Sequence, residues 1–205
     1  MQSVTPRAPR RSKSAGGRPS RPTVSMPRMQ PEKQTLHYSG RVIRLTTDEV
    51  TLPNGHHALL EVVHHPGGAA VAAVDEEHRV CLLRQYRYVA DGWIWELPAG
   101  KLEPGEDPLT GAQRELEEET GYRAKKWKPM VEYYASPGFL GESMLVFTAE
   151  GLIPGDAHPE DDEQIEIRLV KLSEVLKMIE KGAILDGKTL TSVLLYARLL
   201  AKKRK

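Results

Sequence analysis

Three glutamates, Glu115, Glu118 and Glu119, stand at positions i, i+3 and i+4 in a stretch that carries both a helix start and a helix stop. Asp107 offers a side-chain cap, Pro108 suits the first helical position, where a missing N–H costs nothing, and Gly121 tolerates the left-handed backbone just past a C-terminus. The three carboxylates therefore point to one side of one helix. At that spacing they repel one another and weaken the helix unless positive charge sits among them, and hard divalent cations such as Mg²⁺ prefer such oxygen ligands. For a bare run of glutamates the plain alternative is a solvated acidic face. Ala112 and Leu116 supply a neighbouring apolar strip that can pack on a sheet. The chain must therefore cover one side of this helix with a sheet and leave the other side open and acidic.

The sheet is legible on either side of the helix. Residues 41–45 and 49–52 read as strands, and Pro53, Asn54 and Gly55 form a turn that returns the chain into a strand over 58–65. Strands over 69–74 and 79–87 form a second hairpin around Asp75, Glu76 and Glu77, and 93–97 is a further short strand. The Gly/Pro-rich segment 99–107 reads as a loop leading into the helix. Strands over 129–134, 143–149 and 164–172 follow, and two helices close the chain, over 173–181 and 189–201. Strands, helix, strands, helices in that order give an α/β (α+β) sandwich.

Composition narrows the class. Hydrophobic residues make up 40% of the 205 and charged residues 28%, values of an ordinary globular chain. The longest apolar run, 67–74, falls far short of the roughly 20 residues that span a bilayer, so no membrane partner is expected. Residues 1–33 hold six prolines and eight Lys or Arg against the single acid Glu32; they bury too little to offset their ordering entropy and are expected to form a disordered basic tail. Without interleaved aromatic residues this tail is not expected to bind nucleic acid. The remainder is acidic, and an acidic body acting on an anion needs metal ions to neutralise it. The single cysteine, Cys81, lies in an apolar stretch and forms no internal disulfide, which points to a reducing, cytoplasmic compartment. The pairs His56-His57 and His64-His65 lack a third ligand of His or Cys type and read as strand histidines rather than a zinc site.

The spacing around the glutamates is more specific than the run itself. From Gly100 the chain reads GKLEPGEDPLTGAQRELEEETGY. This resembles the Nudix box, the signature of hydrolases that cleave a nucleoside diphosphate linked to another moiety; every charged and glycine position is met, and Tyr122 alone departs, being aromatic where a bulky aliphatic residue is usual. The likeness extends over roughly 36–200. The lead-in from Leu83 through Arg84, Gln85, Tyr86 and Arg87 to Trp95, Glu96, Leu97, Pro98, Ala99 and Gly100 is similar to that of ADP-ribose pyrophosphatases, and Pro137, within Ser136-Pro137-Gly138, falls where the ADP-sugar branch carries a proline.

The resemblance implies a Nudix α/β/α sandwich with a mixed sheet, preceded by a small N-terminal antiparallel β region over 34–66 used for dimerisation and followed by the hydrolase domain over 67–205. It implies metal-dependent hydrolysis of ADP-ribose or a related ADP-sugar to AMP and ribose 5-phosphate, with GDP-mannose or another nucleotide sugar as the alternative substrate and a non-catalytic ligand-sensing module as the alternative role. Glu115, Glu118, Glu119 and the carbonyl of Ala99 would be the metal ligands for two or three Mg²⁺ ions, Mn²⁺ being the second choice. Glu118 is shared with catalysis, and the acidic loop before residue 165 would supply the group that activates water, Glu163 first and Glu160 second. Gly100, Glu106, Arg114 and Gly121 are structural members of the box, Gly105 serves the same loop, and Glu117 points elsewhere. Arg84 and Arg87 are expected to hold phosphate or the terminal ribose, Pro137 to line the substrate, and Tyr38 to stack on adenine within a homodimer.

Overall fold

The computed structural model describes residues 29–159 and 164–203. Most of the basic tail, residues 1–28, lies outside the described residues, and so do Glu160 and Glu163.

The N-terminal region is a three-stranded antiparallel sheet of β1 (Lys33–Ser39), β2 (Arg44–Thr51) and β3 (His57–His64) in the order β1-β2-β3. Where the sequence predicts separate strands over 41–45 and 49–52, one strand, β2, runs through both, because the polar residues between them find partners. Thr46 Oγ1 lies 2.8 Å from His64 Nε2, and Gln34 Nε2 donates to Asp48 Oδ1 at 2.9 Å. The turn forms as expected, with Gly55 N donating to Leu52 O at 2.8 Å. β1 begins at Lys33, so the expected tail ends inside a strand, where Lys33 Nζ pairs with Glu49 at 2.9 Å.

The second sheet has seven strands: β4 (Gly68–Val74), β5 (Arg79–Arg87), β6 (Gly92–Glu96), β7 (Ala99–Lys101), β8 (Arg123–Tyr134), β9 (Ser143–Ile153) and β10 (Ile165–Lys171). Its main path runs β10-β5-β4-β9-β8, with β6 on β5 and β7 on β4. β4 pairs parallel with β9 and the other pairs are antiparallel, so the sheet is mixed. Every residue of β4 is buried, and its small side chains, all Gly, Ala or Val, let helices approach from both sides. On one face lies α1 (Pro108–Thr120), whose Ala112 and Leu116 pack with Val71, Cys81 and Phe147. On the other lie α2 (Leu172–Glu180) and α3 (Gly187–Lys203), whose Val175, Val193 and Tyr196 pack with Ala72, Val74, Leu82 and Leu97. This is the α/β/α sandwich that the sequence predicts. A side chain the size of Leu116, wholly buried, contributes about 2 kcal/mol. Among the described residues no helix is long and apolar enough to cross a membrane.

The sheet is open where the site lies. β4 and β5 pair only at Val74 and Val80; beyond that point β6 extends β5 and β7 extends β4 on the two sides of the gap. β7 lies within the segment the sequence marks as loop, 99–107. Its pairing, Gly68 to Lys101 and Ala70 to Ala99, brings Ala99 and Gly100 beside α1.

Candidate active site

The helix ends are those the sequence specifies. Asp107 Oδ2 accepts from Leu109 N at 3.1 Å and Thr110 N at 3.3 Å, and Gly121 closes α1 in the left-handed region at φ +71°. Of the three glutamates only Glu118 is partly open to solvent; Glu115 and Glu119 are buried, Glu119 to 2% exposure. The acidic side of α1 is thus less open than the sequence suggests, because β7 lies across it. Glu119 Oε2 accepts from Ala99 N at 2.9 Å. Glu115 fills the space in front of Gly100, where a Cβ would stand 2.1 Å from Glu115 Oε1. Only glycine admits the carboxylate there.

Arg114 gathers the carboxylates. Its Nε donates to Glu106 Oε1 at 3.0 Å and its Nη2 to Glu106 Oε2 at 3.1 Å, a forked pair, while Nη1 reaches Glu115 Oε1 at 2.8 Å and Glu118 Oε2 at 3.0 Å. Nη2 also donates to Lys101 O at 3.1 Å, tying β7 to the helix. The Glu106 hydrogen bonds, first among several causes, raise the guanidinium further above its ordinary value, and the same bonds hold the Glu106 carboxyl below the usual carboxylate range. Glu117 turns away, as expected, and pairs with Arg123 Nε at 2.8 Å on the surface. With the carboxylates drawn onto Arg114 and Ala99 N, no three His, Cys, Asp or Glu among the described residues stand together at metal-ligand spacing.

The two arginines expected to hold phosphate or the terminal ribose do not lie together. They are three positions apart on β5, so they point to opposite faces. Arg84 shares the side of Leu82, which packs under α2 and α3; its guanidinium lies 5.3 Å from the centre of the Trp93 ring and 3.5 Å from Glu166. Arg87 shares the side of Cys81, which packs under α1, and holds Glu96 through Nε at 2.8 Å and Nη2 at 2.9 Å. Cys81 is core, as expected, and burial, with the Glu119 charge adding to it, pushes its thiol up to about 12.

Pro137 is exposed in the turn between β8 and β9, and that turn is joined to β3 by Val63 N to Phe139 O and Gly141 N to Val63 O, each 2.8 Å. Tyr38 is 56% exposed on β1. A cleft of about 650 Å³ runs between the N-terminal sheet and the box loop, lined by Arg41, Arg44, His64, Lys101 and Glu103 among others. The arginines of this cleft escaped the sequence reading; their signal was two cations, Arg41 and Arg44, at a strand start with no acid between them. At the far end of the described stretch that precedes the acidic loop, His158 N donates to Glu118 O at 2.8 Å, so the chain enters that loop from the end of α1.

Also missed was a buried ionic cluster behind the lead-in. Glu96, 2% exposed, takes Lys188 as well as Arg87, and Lys188 Nζ reaches Asp186 Oδ1 at 3.0 Å. A charged residue between Trp95 and Leu97 was the available signal.

A family profile described as NUDIX domain matches residues 64–192. The chain is 44% identical over 154 residues to the ADP-ribose pyrophosphatase of Bacillus subtilis (strain 168), covering 74% of this chain and 83% of that protein. It is 41% identical over 158 residues to the methanol dehydrogenase activator of Bacillus methanolicus, covering 76% and 85%. Among solved structures, one titled as the crystal structure of an ADP compounds hydrolase superposes with a TM-score of 0.74 over 88% of this chain and 98% of that one, at 18% identity. That likeness shows the fold.

Proposed function

This chain belongs to the NUDIX domain family, and from that premise we propose that it hydrolyses the pyrophosphate of ADP-ribose to AMP and ribose 5-phosphate. The observation that carries the reading is the acidic strip of α1 set against β7, with Glu106, Glu115 and Glu118 converging on Arg114 and Glu119 bonded to Ala99 N. The substrate follows from the 44% identity to an ADP-ribose pyrophosphatase.

Hydrolases of this family depend on divalent metal, and the donors here fit a hard cation: carboxylate oxygens from one helix face, the Ala99 backbone held against Glu119, and a glycine that admits the Glu115 carboxylate beside it. Glu115, Glu118, Glu119 and Ala99 O would hold two or three Mg²⁺ ions, with Mn²⁺ as the substitute. Held by those residues, such ions would supply positive charge for the pyrophosphate and lower the pKa of a bound water. Arg114 keeps the box loop on the helix and so orients the carboxylates. Arg87, braced by Glu96, is the arginine suited to a phosphate oxygen, while Arg84 belongs to the Trp93 and Glu166 cluster on the other face. The cleft bordered by Arg41, Arg44 and Lys101 supports an anionic substrate of dinucleotide size. Glu163 or Glu160 takes the proton of the attacking water.

A homodimer built on the N-terminal sheet completes the reading. Leu59 is 67% exposed and, by the register of the strands, shares one face of that sheet with Val63, Leu45 and Tyr38, an apolar surface that a second copy would cover while bringing Tyr38 to the adenine. The buried thiol of Cys81 supports a cytoplasmic setting.

The test is nucleotide release from ADP-ribose and GDP-mannose with Mg²⁺ and with Mn²⁺. AMP from ADP-ribose, well ahead of GMP from GDP-mannose, is expected. GMP release alone overturns the base assignment, and no release from either substrate returns the chain to a ligand-sensing role.

A further inference from the structure

The loop that carries Ala99 is held from the far side of the sheet by α3. Thr189, in the first turn of α3 and wholly buried, accepts from Leu97 N through Oγ1 at 2.8 Å, and the same hydroxyl donates to Asp186 Oδ2 at 2.6 Å. Asp186 is fixed in turn, since it accepts from Thr189 N at 2.9 Å and from Lys188 Nζ at 3.0 Å. Lys188 continues to Glu96, which Arg87 grips from the side of the sheet nearer α1. Along the next residues, Pro98 O accepts from Val71 N at 2.9 Å and Ala99 N donates to Glu119 Oε2 at 2.9 Å. The backbone of 97–99 is thus held at each residue by a different element: α3, β4 and α1.

We propose that Thr189, oriented by Asp186, is a positioning residue that fixes the 97–99 segment and with it the Ala99 carbonyl and the Glu119 carboxylate; this rests on the reading of those two groups as cation ligands. A hydroxyl meets two demands at once, accepting from Leu97 N and donating to Asp186. Valine has the same shape and meets neither, leaving the buried Leu97 N–H without its partner and taking one of two donors from Asp186 Oδ2, a state that chains relieve by shifting backbone or admitting water. The N–H that loses its anchor belongs to Leu97, two residues before the Ala99 carbonyl, and ligand carbonyls tolerate little displacement. Serine keeps the hydroxyl and loses only a methyl. A purely structural role predicts something different: Thr189→Val would lower the melting temperature and leave cation affinity alone.

The experiment uses the full chain and two readouts. Mn²⁺ alone is titrated with free ion followed by electron paramagnetic resonance, and ADP-ribose turnover is measured at saturating Mg²⁺. Thr189→Val is expected to weaken Mn²⁺ binding and to lower kcat by about tenfold each, the scale of a lost partner behind a ligand, with KM for ADP-ribose within about twofold because binding contacts are untouched. Thr189→Ser restores both. Wild-type Mn²⁺ affinity in the Val variant, or a Ser variant as impaired as Val, overturns the proposal. Should Thr189→Val not fold, Asp186→Asn, which removes the charge that orients the hydroxyl, carries the same two outcomes. A wild-type protein that binds Mn²⁺ but leaves ADP-ribose intact refutes the substrate reading instead, and the Mn²⁺ arm still decides on Thr189.

Discussion

Gly121 and Gly182 form a matched pair for measuring what holds the end of α1. Both follow a helix with left-handed backbone, at φ +71° and +70°, but a Cβ at Gly121 would stand 2.4 Å from Gly155 O and 2.7 Å from the Asp156 carbonyl carbon, whereas one at Gly182 would meet nothing within 4 Å. Alanine at either site carries the left-handed penalty of about 1 kcal/mol. At Gly121 the methyl also meets backbone, which cannot rotate aside as a side chain would, and overpacking of this kind adds about 2 kcal/mol. Gly182→Ala should therefore destabilise by about 1 kcal/mol and Gly121→Ala by about 3 kcal/mol, read from equilibrium urea unfolding with a common slope. For a domain whose whole stability is about 5–15 kcal/mol the second loss is large but survivable. The displaced strip, 155–158, is bonded to Glu118 O through His158 N, so Gly121→Ala should also lower turnover while Gly182→Ala leaves it unchanged. Equal destabilisation by the two variants would refute the contact reasoning and leave the backbone angle as the sole cause.

Three further outcomes follow from the same geometry. Glu119→Gln keeps an oxygen for Ala99 N but loses the carboxylate charge, so the protein should melt near the wild-type temperature while kcat at saturating Mg²⁺ falls by at least about a hundredfold; retained turnover would remove α1 from the chemistry. Burial alone would raise the Glu96 carboxyl, yet the Arg87 hydrogen bonds and the Lys188 charge hold it below its ordinary value. A carboxyl depressed on folding stabilises above its unfolded pKa and loses that contribution as pH falls through the folded one, so stability should decline below about pH 4.5. Glu96→Gln should flatten that decline and, by taking away the buried carboxylate that Arg87 and Lys188 share while Lys188 keeps Asp186, cost about 2 kcal/mol at pH 7; an unchanged acid limb in urea unfolding would count against it. Light scattering at micromolar concentration should give a dimer mass, and removal of residues 1–66 a monomer with poor ADP-ribose binding; a monomeric full-length chain would contradict the interface.

What could be read in advance was what neighbours in the chain decide. The limits of α1 lay in Asp107, Pro108 and Gly121, each acting within a turn of its own position, and β5 lay in an apolar run between two turns. β1 is exposed along its length, so no alternation marked its first residues. β2 looked broken because Thr46 and Asp48 are polar, and they are buried only because His64 and Gln34, many residues away, supply their hydrogen bonds. The same division runs through the site. The box residues Glu106, Arg114, Glu115, Glu118 and Glu119 fall within a loop and one helix, and their spacing was enough to bring them together. Period-two alternation could have separated Arg84 from Arg87, since both lie in a strand that was read with its correct limits. No local pattern could have found Thr189, which meets Leu97 only because α3 packs on the opposite face of the sheet, 92 positions along the chain.

The split between β4 and β5 is what makes the local and the distant parts one site. Had the two strands stayed paired beyond Val74 and Val80, their own hydrogen bonds would have satisfied the backbone of 97–99 or excluded it, and α1 would have faced a closed sheet. Because they part, β7 can lie beside α1 and present Ala99 and Gly100 to the glutamates, while Lys188 and Thr189 reach Glu96 and Leu97 from the far side. The acidic helix face therefore depends on residues from both faces of the sandwich. Substitutions in α3 that leave every box residue intact should still be felt at the box.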